Sequence, residues 1–170
     1  MQTTKWGSSA WDFYHTLTFN YPENPNYTDK QNMKDTFELL KKMLPCSLCR
    51  VSFTFFCDHI PIDNYLDDRN GIVYWLYILH NLVNLKLNNK LYHLKDVILK
   101  YENNRARENK CREKIEWNSS MELIYRDSIE KYQNDTIRMI ATMICENRHI
   151  DDIKNIILNI ERHISGDNLF

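Results

Sequence analysis

Residues 72–87 read Ile72-Val73-Tyr74-Trp75-Leu76-Tyr77-Ile78-Leu79-His80-Asn81-Leu82-Val83-Asn84-Leu85-Lys86-Leu87, and this stretch decides the fold. As a helix it is apolar nearly all round, interrupted only by His80, Asn81, Asn84 and Lys86, so it has to be surrounded by other elements. That predicts the central helix of a bundle, with Asp67, Asp68 or Asn70 capping its start. The punctuation around it agrees: the chain has 3 Gly and 4 Pro, and neither residue occurs between Gly71 and Gly166. Strands need turn residues every few positions and long helices do not, so the chain reads as all-α.

Working outward, Trp6 to Tyr21 suits a largely buried helix that Pro22 and Pro25 end. Thr28 or Asp29 is expected to cap a second helix, with Met33, Phe37, Leu40 and Leu44 recurring at helical spacing. Pro45-Cys46 is expected to start a third helix that carries Leu48, Val51, Phe55 and Phe56 inward. Asp58 to Arg69 reads as loop, and Leu91 to Tyr101 as a short fifth helix. From Glu102 to Glu116 the composition turns strongly charged, which predicts a boundary: a core over 1–104 and, over 105–170, a charged linker and a C-terminal helical extension. The extension is expected to hold two or three amphipathic helices, with stripes at Ile137, Ile140, Ala141, Ile144 and at Ile153, Ile156, Ile157, Ile160, Ile164.

Composition narrows the function. The 170 residues carry 22 Lys+Arg against 23 Asp+Glu, a formal net charge of -1, so no global basic field exists to draw nucleic acid or anionic lipid. Isolated glycines exclude G-x-G-x-x-G and P-loop nucleotide sites, so a nucleotide would be held by side chains. No signal-like N-terminus and no apolar run long enough to span a bilayer is present, and the expected location is cytoplasmic, with no membrane insertion. In such a chain 5 cysteines point to metal, redox chemistry or burial rather than a disulfide scaffold.

The chemical centre of the sequence is Pro45-Cys46-Ser47-Leu48-Cys49. Cysteines three apart at a helix start can close a disulfide, and the unpaired N–H groups of the first turn favour a thiolate. Spacing alone leaves a rival open: Cys46, Cys49, Cys57 and His59 supply the four ligands of a tetrahedral structural zinc, as in a zinc-stabilised helical interaction module. The continuous apolar run Val51 to Phe56 weighs against a compact zinc loop, and Cys57 reads most simply as a small buried hydrophobe. A second constellation places His80 and Asn84 on one face of the central helix, with Asn81 beside them. Such groups need partners, either neighbouring backbone or a bound planar heterocycle. A third places Trp11 and His15 one turn apart, one turn after Gly7.

In order, W-G-x-x-x-W-x-x-x-H, Y-P, C-x-x-C and R-x-x-x-x-x-W-x-x-x-x-H-N-x-V-N resemble the Erv/ALR family of FAD-linked sulfhydryl oxidases. Here these are Trp6, Gly7, Trp11, His15, Tyr21, Pro22, Cys46, Cys49, Arg69, Trp75, His80, Asn81, Val83 and Asn84. The resemblance covers residues 6 to 101 and is similar to the versions carried by large cytoplasmic DNA viruses. It implies a four-helix bundle with a short fifth helix, usually a homodimer, holding FAD. It further implies that Gly7, Trp11, His15, Tyr21, His80, Asn81, Val83 and Asn84 line the FAD, that Trp75 stands near its adenine part, and that Lys86 and Lys90 meet its phosphates. Cys46 would be the interchange thiol and Cys49 the flavin-proximal one. A substrate thiolate would attack Cys46, and electrons would pass through Cys49 to FAD and then O2, giving H2O2 and a disulfide in a protein substrate. The family's K-L-G-K run is Lys86-Leu87-Asn88-Asn89-Lys90 here, with the second lysine displaced by one. Cys111 and Cys145, in the extension, are candidates for the shuttle cysteines that family enzymes often carry.

Overall fold

The structure, a computed structural model, describes residues 2–105 and 115–146, with no account of the side chains of 144–146. Six α-helices follow in order: α1 (Gly7–Phe19), α2 (Tyr27–Met43), α3 (Ser47–His59), α4 (Arg69–Lys86), α5 (Leu94–Asn104) and α6 (Ser119–Glu146). Among the described residues there are also two short 3-10 turns and no strand.

α4 is the buried axis, as its all-round apolarity requires: Ile72, Tyr74, Trp75, Leu76 and Leu79 are fully enclosed, and α1, α3, α5 and α6 pack around it. Its start is capped by Asp68, whose Oδ1 accepts from the Gly71 N–H at 2.8 Å. Its end is closed by Asn88 in the left-handed region (φ 55°), with Asn88 N donating to Leu85 O at 3.0 Å and Asn89 N to Asn84 O at 2.8 Å. This paired closure usually takes glycine, and asparagine is the other residue that tolerates the conformation. The position that is glycine in the K-L-G-K run is therefore met by Asn88.

Several sequence expectations need correction. Asn26, not Thr28 or Asp29, caps α2; Asp29 is the reciprocal member of the capping box, its Oδ2 accepting from Asn26 N at 2.9 Å. The buried stripe of α3 is Phe53, Phe56 and Cys57, whereas Leu48 and Val51 are exposed at 73% and 68%. The helix presents the Cys49, Phe53, Phe56 face inward, and Leu48 and Val51 fall off that stripe. The segment read as loop from Asp58 holds the end of α3 and a 3-10 turn over Ile62–Tyr65, with Ile60, Ile62, Tyr65 and Leu66 buried in the core.

The first stripe expected in the extension lies on one 28-residue helix, α6. Tyr125, Ile129, Tyr132, Ile140 and Met143 are buried in the same core as α4. Tyr65 and Thr136 hydroxyls hydrogen-bond at 2.6 Å, Tyr125 donates to the buried Glu102 at 3.1 Å, and Lys131 and Tyr132 both reach Asp68. Gly71 makes this approach possible: a Cβ there would stand 2.5 Å from Tyr65 O and 2.6 Å from the Tyr132 hydroxyl. The second stripe, from Ile153 onward, lies outside the described residues. No described helix is long and apolar enough to cross a membrane.

Candidate functional site: a cysteine pair opening on a cavity

α1, the start of α3, the end of α4 and α5 surround a cavity of about 950 Å³. Of the predicted cofactor residues, Gly7, Trp11, His15, Val83, Asn84, Lys86 and Lys90 line it, together with His80 and both cysteines of the pair. Gly7 contributes open space, since a Cβ there would meet nothing within 4 Å.

The polar groups of the wall form an ordered set. Trp11 stacks on His80 with ring centroids 3.9 Å apart and planes 6° from parallel. His15 Nε2 and His80 Nδ1 hydrogen-bond at 3.0 Å, joining residues that are far apart in sequence. His15 in turn stacks on Tyr101 at 4.8 Å, and the Tyr101 hydroxyl and Lys100 ammonium both donate to Asp12, at 2.7 and 2.6 Å. Burial, reinforced by the neighbouring His80, pushes His15 down to about 3, and burial pushes His80 down to about 4. Both rings are therefore neutral at pH 7, and a single proton serves the bond between them. Three buried polar atoms of the cavity residues have no partner: Trp6 Nε1, His15 Nδ1 and Asn84 Nδ2. Orphaned buried polar atoms are rare, and these three all belong to residues of one cavity wall.

Cys46 and Cys49 are free thiols at the start of α3. Cys46 is the N-cap, its sulfur accepting from the Cys49 N–H at 3.2 Å. The Cys49 thiol, then the backbone N–H groups of Cys49 and Leu48, hold the Cys46 pKa below the ordinary cysteine value. Cys49 is pushed up to about 11, first by burial and then by Cys46, while the Lys86 charge acts in the opposite direction. The two sulfurs thus differ: Cys46 is the more readily ionised one, and Cys49 is the more deeply set one.

Three predicted site residues are placed elsewhere. Asn81 exchanges both amide bonds with the Tyr92 backbone, at 3.0 and 2.9 Å, so it anchors the segment after α4 rather than facing the cavity. Trp75 is fully buried and its Nε1 donates to Ile60 O at 2.9 Å; Tyr21 is buried with its hydroxyl on Leu66 O at 3.0 Å. The zinc set is dispersed. Cys57 is buried in the core, His59 Nδ1 lies 2.8 Å from Phe55 O, and the described residues contain no group of three potential metal ligands. Cys111 lies outside the described residues, and Cys145 stands in the last turn of α6.

Sequence reasoning missed Tyr101, Asp12, Lys100 and Ser52 as parts of the wall. An acid one turn ahead of a buried histidine was the available signal for Asp12. Tyr101 reads from periodicity as the apolar face of α5, which it also is.

The chain is 32% identical over 92 residues to a probable FAD-linked sulfhydryl oxidase of Acanthamoeba polyphaga mimivirus, covering 54% of this chain and 64% of that protein. It is 32% identical over 81 residues to the FAD-linked sulfhydryl oxidase ERV1 of Arabidopsis thaliana, covering 48% and 41%. The chain thus spans less than two thirds of the length of these relatives. Among solved structures it is similar to the yeast Erv1 core, with a TM-score of 0.57 and 22% identity over 60% of this chain and 85% of that one. That likeness extends the helical bundle to a known fold. The sequence model of the Erv1 / Alr family matches residues 8–107, and the chain belongs to that family.

Proposed function

We propose that the chain is an FAD-dependent sulfhydryl oxidase that makes disulfides in protein substrates. The observation that carries this reading is that the Cys46/Cys49 pair opens on the same cavity whose wall holds the orphaned atoms of His15, Asn84 and Trp6. FAD fits these residues. Trp11 and His80 offer aromatic faces, His15 Nδ1 and Asn84 Nδ2 offer unpaired polar atoms, Gly7 leaves room, and Lys90 brings a cation to the rim. Bound there, FAD supplies a two-electron acceptor that the cysteines lack and that O2 can reoxidise with release of H2O2.

The chain's own residues perform the thiol exchange. A substrate thiolate attacks Cys46 Sγ of the Cys46–Cys49 disulfide, and the S–S electron pair leaves on Cys49. A second substrate thiolate attacks the substrate sulfur of the mixed disulfide, and Cys46 leaves as the thiolate that its hydrogen bonds stabilise. The accessible Cys46 suits entry by a macromolecule, and the buried His15–His80 pair keeps the adjoining wall neutral. The reading includes a homodimer: exposed Phe13, Leu39 and Met43 on α1 and α2 are apolar surface for a second copy. Leu39→Asp is expected to halve the mass seen by sedimentation equilibrium.

The test is the visible spectrum of the purified protein before and after dithiothreitol under air. A yellow protein that bleaches and recovers its colour supports the oxidase. A protein that stays colourless after FAD is supplied overturns it. Cys46→Ser and Cys49→Ser are each expected to abolish turnover on a protein dithiol.

A further inference from the structure

Lys86 is not spent on the far part of the cavity. It is in the last turn of α4, and its ammonium donates to Ser52 Oγ on α3. Ser52 is one turn after Cys49, so the two side chains share a face of α3. The Ser52 hydroxyl hydrogen is already committed to Leu48 O at 2.9 Å, which leaves the oxygen's lone pairs for Lys86. The bond therefore has a fixed direction, and it keeps a cation on the side of the half-buried cysteine of the pair. All three side chains line the same cavity wall.

We propose that Lys86, tethered by Ser52, is the counter-charge of the Cys49 sulfur, and that Ser52 is the positioning residue that keeps it there. The proposal rests on the reading of Cys49 as a redox thiol. When Cys46 is attacked, the S–S bond breaks and its electron pair goes to Cys49, which becomes an anion in a half-buried place. A leaving thiol departs faster when its anion is stabilised. Two other cations near the cavity are engaged elsewhere. Arg50 donates to Leu44 O at 2.5 Å, and Lys100 is paired with Asp12 at 2.6 Å. Cys46 disfavours the charge of Cys49 and Lys86 favours it.

The experiment is a pH profile of Cys49 alkylation by iodoacetamide in the full chain carrying Cys46→Ser. Trypsin releases residues 43–50 between Lys42 and Arg50, and in that background the peptide contains Cys49 as its one thiol. Lys86→Met is expected to raise the alkylation midpoint by about half a pH unit, a roughly threefold loss of rate below it. Ser52→Ala should shift it the same way by less, Lys86→Arg and Ser52→Thr should restore it, and Lys90→Met should leave it in place. High salt should raise the midpoint of the parent and leave that of Lys86→Met unmoved. A Lys86→Met midpoint within about 0.2 units of the parent, in protein whose circular dichroism is unchanged, overturns the proposal. So does loss of FAD retention without any shift of the midpoint, which would make Lys86 a phosphate ligand. Failure of the oxidase reading would show separately in the visible spectrum, because alkylation requires no turnover.

Discussion

The two ends of α4 are built from the same apolar helix and finished in opposite ways. At its start, Gly71 is crowded to the limit: the Tyr65 carbonyl and the Tyr132 ring of α6 occupy the space a side chain would need. Thr136 and Lys131 add polar bonds from α6 across the same surface. At its end, His80 and Asn84 border a cavity with orphaned polar atoms, and Gly7 across from them faces open space. The closed end holds the bundle together, and the open end borders the cavity proposed for FAD. The difference teaches that tight packing and the proposed ligand site lie at opposite ends of one helix, so each is expected to be perturbed with little effect on the other.

Four experiments break or sharpen that contrast. The largest effect is expected from ending the chain at Arg105, which uncovers the core surface that Ile129, Tyr132 and Ile140 help to bury. At about 1.5–3 kcal/mol for each large apolar side chain, the loss is comparable with the whole stability of a domain, so cooperative thermal unfolding should disappear. A truncated chain that melts like the parent would mean that α6 contributes nothing to the closed end.

Acid should act at the open end. His15 and His80 are held neutral in the fold, with values of about 3 and about 4, against an ordinary value of 6.5. The unfolded chain therefore binds protons that the folded one refuses, and stability falls as pH drops from about 6.5 toward about 3, by at most about 1.4 kcal/mol per pH unit for each ring. Melting curves across this window should show the slope, and His80→Gln should flatten it.

Gly71→Ala comes next, with an expected loss of about 1–3 kcal/mol, or roughly 3–10 °C in Tm, because a backbone carbonyl is among the atoms that must shift. Its counterpart Gly7→Ala should leave the Tm of flavin-free protein unchanged while weakening FAD retention. Equal melting of the two variants would erase the distinction between the ends. The smallest effect belongs to Thr136→Val, which leaves the buried Tyr65 hydroxyl without its partner on α6 and should cost about 1–2 kcal/mol, read as the shift of a urea transition.

The helical class, the central place of α4 and the placing of Cys46–Cys49 at a helix start were legible because each depends on local chemistry: periodicity, capping and the scarcity of Gly and Pro. The inward face of α3 was misread because a run of six apolar or hydroxyl residues, Val51 to Phe56, has no unambiguous stripe. Only the packing against α4 shows that Phe53 and Phe56 turn in and Val51 turns out. A buried amide at Asn81 needs partners, and the sequence leaves neighbouring backbone and a bound heterocycle both open. The partner is the Tyr92 backbone, brought there by the turn after Asn88.

By itself, the sequence determined that this protein is a helical bundle organised on residues 72–87, with a cysteine pair at a helix start and no glycine loop for a nucleotide. Those conclusions follow from spacing within one helix or one turn, where the physics is local. Tertiary structure alone decided that His15 meets His80, that Lys86 is tethered beside Cys49, and that α6 keys into Gly71. Each of these joins residues distant in the chain, and their pairing is set by how helices pack around α4, which no local pattern records.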